Sequence, residues 1–266
     1  MNLEILCSQV QWLAREVGRF IYDERSKFTA RDIILKGKSD MVTYVDKTAE
    51  VRLVEGLREL LPGSGFITEE GTAVEDGEKY RWVIDPLDGT TNYIHGISPF
   101  AVSIGLLEED EIVMGVIYEI SLDEMFYAWK GSKAYMNGKE IHVSTASTVA
   151  DALIATGFPY YDFSKLDQYM SAMDYFMRNS HGLRRLGSAA ADLAYVAAGR
   201  FEAFYEHALH SWDVAAGIII IKQAGGKVSD FNGGDNYLFG GEMVACNTNF
   251  YDEFFAVVNN YLAEKP

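Results

Sequence analysis

Two short apolar runs, Phe66-Ile67-Thr68 and Trp82-Val83-Ile84, stop abruptly at carboxylates: Glu69-Glu70 after the first and Asp85 after the second. Runs of this length read as short buried strands, so the chain must build a sheet that delivers acid side chains to its end. The second run continues as Asp85-Pro86-Leu87-Asp88-Gly89-Thr90-Thr91-Asn92. Asp85 and Asp88 can aim at one hard cation, and the Gly89-Thr90-Thr91 amides can receive an anion beside it. Pro86 stiffens the loop and removes a competing amide donor, while Leu87 can lend its carbonyl oxygen. Metal and phosphate in one short loop point to metal-assisted hydrolysis of a phosphate ester.

The rest of the chain supplies layers for such a sheet. Leu3, Leu6, Val10, Leu13, Val17 and Phe20 recur at steps of three and four, the signature of an amphipathic helix. A polar segment with Gly37 leads into Asp40-Met41-Val42-Thr43-Tyr44-Val45-Asp46. A second helix is predicted from Lys47 to Leu61 on Val51, Val54, Leu57 and Leu61, stopped by Pro62-Gly63. Consecutive strands are predicted over 100–107, 111–120 and 124–130, followed by a hairpin turning at Asn137-Gly138. Beyond that, strands over 152–156, 201–205 and 244–246 alternate with helices over 165–178, 189–198, 214–224 and 250–262, the second of these capped by Ser188. The class is α/β with layered helices and sheets. At 266 residues, with no Gly/Ser- or Pro-rich linker, one domain of two joined halves, roughly 1–145 and 146–266, is expected.

Clustering carboxylates is costly unless a cation neutralises them, and hard divalent ions prefer oxygen ligands. Taken singly, the Glu69-Glu70 pair reads as a solvated turn, and Asp46 and Asp213 as helix caps. The Asp85 loop is different in joining two acids to a Gly-Thr-Thr turn. No Gly-x4-Gly-Lys-Ser/Thr loop occurs, the two acids are separated by two residues rather than one, and no Gly-x-Ser-x-Gly elbow is present. Those absences argue against a P-loop nucleotidase, an aspartyl-phosphate enzyme and a serine nucleophile. Metal-activated water is the remaining nucleophile.

The formal charge of −16 disfavours a direct, sequence-independent grip on nucleic acid. It leaves an anionic substrate open, since bound divalent cations reverse the local field. The stretch after Met1 lacks a signal-peptide pattern, and the longest apolar runs, such as Gly217 to Ile221, are too short to span a bilayer. Cys7 and Cys246, the only cysteines, sit in apolar surroundings and read as buried free thiols. A cytoplasmic protein without membrane association is the expectation.

Asp85 to Asn92 resembles the first signature of the inositol monophosphatase family, and Trp212-Asp213-Val214-Ala215-Ala216-Gly217, running on to Ala224-Gly225-Gly226, resembles its second. Asp40-Met41-Val42-Thr43-x-x-Asp46, Thr68-Glu69-Glu70 and Gly187-Ser188-Ala189 extend the likeness over nearly the whole chain. Gly71 stands where the family pattern has serine. The resemblance implies a five-layered α-β-α-β-α sandwich, two or three Mg2+ ions, lithium sensitivity and a homodimer. It also implies carboxylate ligands at Glu69, Asp85, Asp88 and Asp213, the Leu87 carbonyl as a further ligand, and Asp46 at an outer-shell or third metal. Gly89 and Thr90 would bind phosphate through backbone amides, with Thr90 and Glu69 orienting the attacking water. Gly187, Ser188, Ala189 and Glu206 match positions that contact the alcohol part of the substrate, where Asp88 and Asp213 also border it.

The substrate so implied is a small phosphorylated polyol, inositol monophosphate. Histidinol phosphate, fructose 1,6-bisphosphate and 3′-phosphoadenosine 5′-phosphate are alternatives on the same site. Glu206 suits a substrate that offers hydroxyl or ammonium donors. A regulatory partner of the transcription machinery is the competing role.

Overall fold

A computed structural model describes residues 1–27, 33–35, 41–77, 79–159 and 162–263. Gly37 and Asp40, singled out above, lie outside the described residues. The chain opens with α1 (Leu3–Glu24), the short antiparallel pair β1 (Ile33–Leu35) and β2 (Met41–Thr43), and α2 (Tyr44–Leu60). Then come β3 (Gly65–Thr68), β4 (Tyr80–Asp88), the short helix α3 (Thr90–His95), β5 (Ala101–Glu108), β6 (Glu111–Glu119) and β7 (Glu124–Trp129). β8 (Ala134–Met136) and β9 (Lys139–Ile141) close this half as a hairpin, with positive φ at both Asn137 and Gly138.

The second half runs through β10 (Leu153–Thr156), α4 (Leu166–Asn179), β11 (Gly182–Arg184) and α5 (Ala189–Ala197). It ends with β12 (Ala203–His207), α6 (Ser211–Gln223), β13 (Gly226–Ser229), β14 (Glu242–Asn247) and α7 (Tyr251–Leu262).

The strands form a seven-stranded sheet in the order β3 to β9 and a five-stranded sheet ordered β11-β10-β12-β14-β13. β3 and β4 are parallel, whereas β4 to β9 pair antiparallel in sequence. α1 and α2 cover one face of the large sheet, α5 and α6 lie between the sheets, and α4 and α7 cover the outer face of the small sheet. The result is the expected five-layered α-β-α-β-α sandwich. Three buried clusters fill the spaces between layers.

The central α6 explains why periodicity in this stretch is weak: Val214 to Ile221 are buried on every side, so no polar face remains. Its backbone lies directly on the large sheet, where a Cβ at Gly115 would collide with the Ala216 carbonyl oxygen. Cys7 and Cys246 are buried and free, and burial pushes the Cys7 thiol up to about 12. Among the described residues, no helix is long and apolar enough to cross a membrane.

The structure corrects several local expectations. α2 starts at Tyr44, three residues before Lys47, because Thr43 caps it: the Thr43 Oγ1 accepts from the Val45 amide at 3.0 Å. Val51 is 42% exposed, while Leu53 takes the buried place, so the apolar stripe is rotated from the one expected. β4 continues through the acid motif that reads as a loop, accommodating Pro86 with a register shift between Asp85 and Asp88.

Replacing Gly115 with alanine drives a methyl group into the α6 backbone. We expect a loss of about 1–3 kcal/mol in unfolding free energy, measured by urea titration. An unchanged midpoint would mean that α6 is free to lift from the sheet.

Candidate active site

Parallel pairing is what first brings the acids together. Thr68 of β3 pairs with Ile84 of β4, so the next residues, Glu69 and Asp85, emerge side by side at one sheet end. The Glu69 amide donates to the Ile84 carbonyl at 3.2 Å, anchoring this exit. Asp85 turns its Oδ1 back to accept from the Leu87 amide at 2.9 Å, around the Pro86 bulge.

Asp88, at the end of β4, is tied to the other half of the chain. Its Oδ2 accepts from the Ser188 hydroxyl and the Ala190 amide, both at 2.7 Å, at the start of α5. Ser188 also caps α5, accepting from the Ala191 amide at 3.3 Å. Asp213 comes from the first turn of α6, where its Oδ2 accepts from the His210 amide at 2.7 Å. Asp46 occupies the matching position in α2 and accepts from the Thr43 amide at 2.8 Å. Both aspartates thus sit inside the first helical turn and bond back to the residue that precedes the helix, rather than preceding it as caps.

Glu69, Asp85, Asp88 and Asp213 line one pocket of 310 Å³ with Leu87, Gly89, Thr90, Gly187, Ser188, Ala189 and Glu206. Asp46 stands behind that wall. Its Oδ1 accepts from the Thr90 hydroxyl at 2.9 Å, and the same hydroxyl lies 3.0 Å from the Leu87 carbonyl oxygen. Gly89 adopts φ 95°, which lets the chain turn from β4 into α3 without a side chain in the way.

Sequence reasoning missed three contributors. Glu50, one helical turn after Asp46 and fully buried, accepts from the Glu70 amide at 2.7 Å and the Thr72 amide at 2.8 Å. It also takes the Thr72 hydroxyl at 2.7 Å, and so holds the segment that follows Glu69. An acid four residues beyond Asp46 on the same helical face was the available signal. Arg185 and Asp192 also line the pocket, the latter a lone acid in the otherwise apolar α5.

The electrostatics of this pocket are those of carboxyls partly withdrawn from water, Asp85 being buried and Glu69, Asp88, Glu206 and Asp213 half-buried. Burial first, then the charge of Asp213, raises Glu69 well above the usual carboxylate range. Asp85 is raised well above its ordinary value by burial and then by Glu69, Asp88 and Asp213. Burial, followed by the charge of Asp88, does the same to Asp213. Asp88 is pushed up only to about 6, because burial is opposed by its bonds from Ser188 and Ala190. Glu206 is pushed up to about 8 by burial, against the Arg185 charge.

Such a set fits a hard divalent cation. Every donor is an oxygen, and the buried Glu69 Oε2 has no hydrogen-bond partner among the described residues. Among those residues, no three Asp, Glu, His or Cys side chains are already gathered into a closed ligand cluster. The acids border a common pocket, so sharing an ion calls for side-chain adjustment or bridging water.

The family model for the inositol monophosphatase family matches residues 2–263. An inositol-1-monophosphatase of Mesorhizobium japonicum is 41% identical over 235 residues, covering 88% of each chain. The Nus factor SuhB of Pseudomonas aeruginosa is 39% identical over 254 residues, covering 94% of each. The crystal structure of extragenic suppressor protein suhB from Bartonella henselae superposes with a TM-score of 0.88 at 37% identity, covering 93% of this chain and 95% of that one.

Raised carboxyl pKa values set the sign of a pH effect. A group whose pKa is higher folded than unfolded favours the fold below its unfolded value and loses that contribution as pH rises through the folded value. For Asp88 and Glu206 the window runs from about pH 4 to about pH 8. Chelator-treated protein is therefore expected to lose thermal stability from pH 5 to pH 8, and Mg2+ to restore more at pH 8 than at pH 5. Thermal melts with and without Mg2+ check this; an ion effect equal at both pH values would contradict it.

Proposed function

The chain belongs to the inositol monophosphatase family and is a phosphatase; we propose that it hydrolyses inositol monophosphate to inositol and phosphate with Mg2+ as its cofactor. One observation carries this reading: acids from β4, from α6 and from the residue that follows β3 converge on a single pocket beside the Gly89-Thr90 turn. A phosphate dianion could not approach that many carboxyls unless cations offset their charge.

Glu69, Asp85, Asp88, Asp213 and the Leu87 carbonyl would hold two Mg2+ ions, with Asp46 placed to serve a third or to act through water. When bound, Mg2+ supplies Lewis-acid charge that activates water and offsets the charge on the phosphoryl oxygens. The Gly89 and Thr90 amides would take the phosphate. Thr90, its hydroxyl held between Asp46 and the Leu87 carbonyl, would orient the attacking water together with the unpartnered oxygen of Glu69. Gly187, Ser188, Ala189 and Glu206 would border the alcohol, Glu206 accepting hydrogen bonds from its hydroxyls. Inhibition by lithium, a cytoplasmic location, a homodimeric state and the absence of direct nucleic-acid binding complete the reading. The division of the chain into two joined halves around residue 145 belongs to the same proposal.

A second role is favoured by one observation. The relative from Pseudomonas aeruginosa, covered over 94% of its length, is named as a Nus factor. This chain would then partner the transcription machinery while keeping its acid set. Pull-down from lysate, run beside a phosphatase assay, separates the two roles.

A panel of inositol 1-phosphate, histidinol phosphate, fructose 1,6-bisphosphate and 3′-phosphoadenosine 5′-phosphate tests the substrate. We expect the first to be preferred, with activity abolished by chelator and regained with Mg2+. Asp88→Asn should lower turnover by at least ~10²-fold while the fold persists, since metal-derived charge stabilisation carries several kcal/mol. Full turnover without any divalent ion, or near-normal turnover by Asp88→Asn, would refute the metal-site assignment.

A further inference from the structure

Asp192 presents an acid where its helix has no use for one. α5 is otherwise Ala, Leu, Tyr and Val over 189–197, and Ser188 already caps it. The Asp192 side chain is 1% exposed and lines the same pocket as Glu206. Its Oδ1 has no hydrogen-bond partner among the described residues. Burying a carboxyl oxygen with nothing to accept from is unfavourable, so the position has no structural reason to be acidic. The charged groups that act on it are Glu206, Asp88 and Arg185, with burial dominant. Its backbone amide donates to the Ser188 carbonyl at 3.0 Å as part of the helix, whereas its side chain makes no bond to the acids assigned to the metal or to Ser188.

We propose that Asp192 is a second specificity-determining residue, accepting a hydrogen bond from a hydroxyl of the polyol leaving group in concert with Glu206. The proposal rests on the phosphatase reading given above and deepens it. Two carboxyls, the buried Asp192 on α5 and the half-buried Glu206 on β12, would require two donors on the leaving group at a fixed spacing. A cyclic polyol supplies these and an aryl or simple alkyl alcohol does not. A pocket built to bond a hydroxyl rejects analogues that lack it far more strongly than an apolar pocket rejects a missing methylene, because its own polar atoms are left unpaired. Arg185 supplies the counter-charge within the pocket.

Asp192→Ala and Asp192→Asn in the full chain, with saturating Mg2+, test the assignment on inositol 1-phosphate and on 4-nitrophenyl phosphate. For the alanine variant, kcat/KM on inositol 1-phosphate should fall roughly 10- to 100-fold, with less than about a 3-fold change on the aryl ester. The asparagine variant keeps an acceptor oxygen and nearly the same volume, so it should fall between alanine and the wild type on inositol 1-phosphate alone. It also serves if alanine does not fold, a point settled by thermal melts. Equal losses on both esters, or no loss on inositol 1-phosphate, would overturn the role of Asp192. A wild-type enzyme with no preference for inositol 1-phosphate over the aryl ester would refute the substrate reading itself, and this proposal with it.

Discussion

Asp85 is buried and Glu69, Asp88 and Asp213 are half-buried beside it in one pocket, each raised by desolvation and three of them further by mutual repulsion. Isolated buried charges are among the most unfavourable groups a protein can hold, and they neutralise or find a counter-charge. A divalent cation meets that need in a way that also prepares phosphate chemistry, because its charge both offsets the carboxylates and attracts the substrate. The conflict between burial and charge is therefore what the site is built on.

Several independent elements hold that conflict in place. Parallel register sets Glu69 beside Asp85, and the bulge at Pro86 re-aims the end of β4 toward Asp88. Asp88 is clamped by Ser188 and Ala190 from the start of α5. α6 brings Asp213 in across the large sheet, seated closely on Gly115. Glu50 and Asp46, on one face of α2, secure the Glu69 segment and Thr90 respectively. The backbones that carry the acids belong to well-packed strand ends and helix starts, so it is the side chains that adjust to a cation.

Much of this was legible in the chain because the signals were local. Acids ending apolar runs, the Asn137-Gly138 turn, the Ser188 cap and the two family signatures all depend on residues close in sequence. What escaped was set by tertiary contact. Val51 and Leu53 both suit a helix, and only the packing of α2 against α1 and the sheet decides which is buried. β4 runs through Pro86 because β5 continues to pair beside it, which overrides the local reading of a loop. β11 and β13 are short strands recruited by neighbours, with too few residues to show a period. Glu50 and Asp192 lie within helices, and only the layers packed around those helices decide that they are buried.

The central claim is that the acids of this pocket form a divalent-cation site. Crystals grown with Mn2+ in place of Mg2+, read by anomalous scattering, test it most directly. Peaks are expected among Glu69, Asp85, Asp88 and Asp213, with ligand oxygens at roughly 2–2.3 Å. Saturating Mn2+ that leaves those four carboxylates without an ion, or that binds only at the protein surface, would contradict the account.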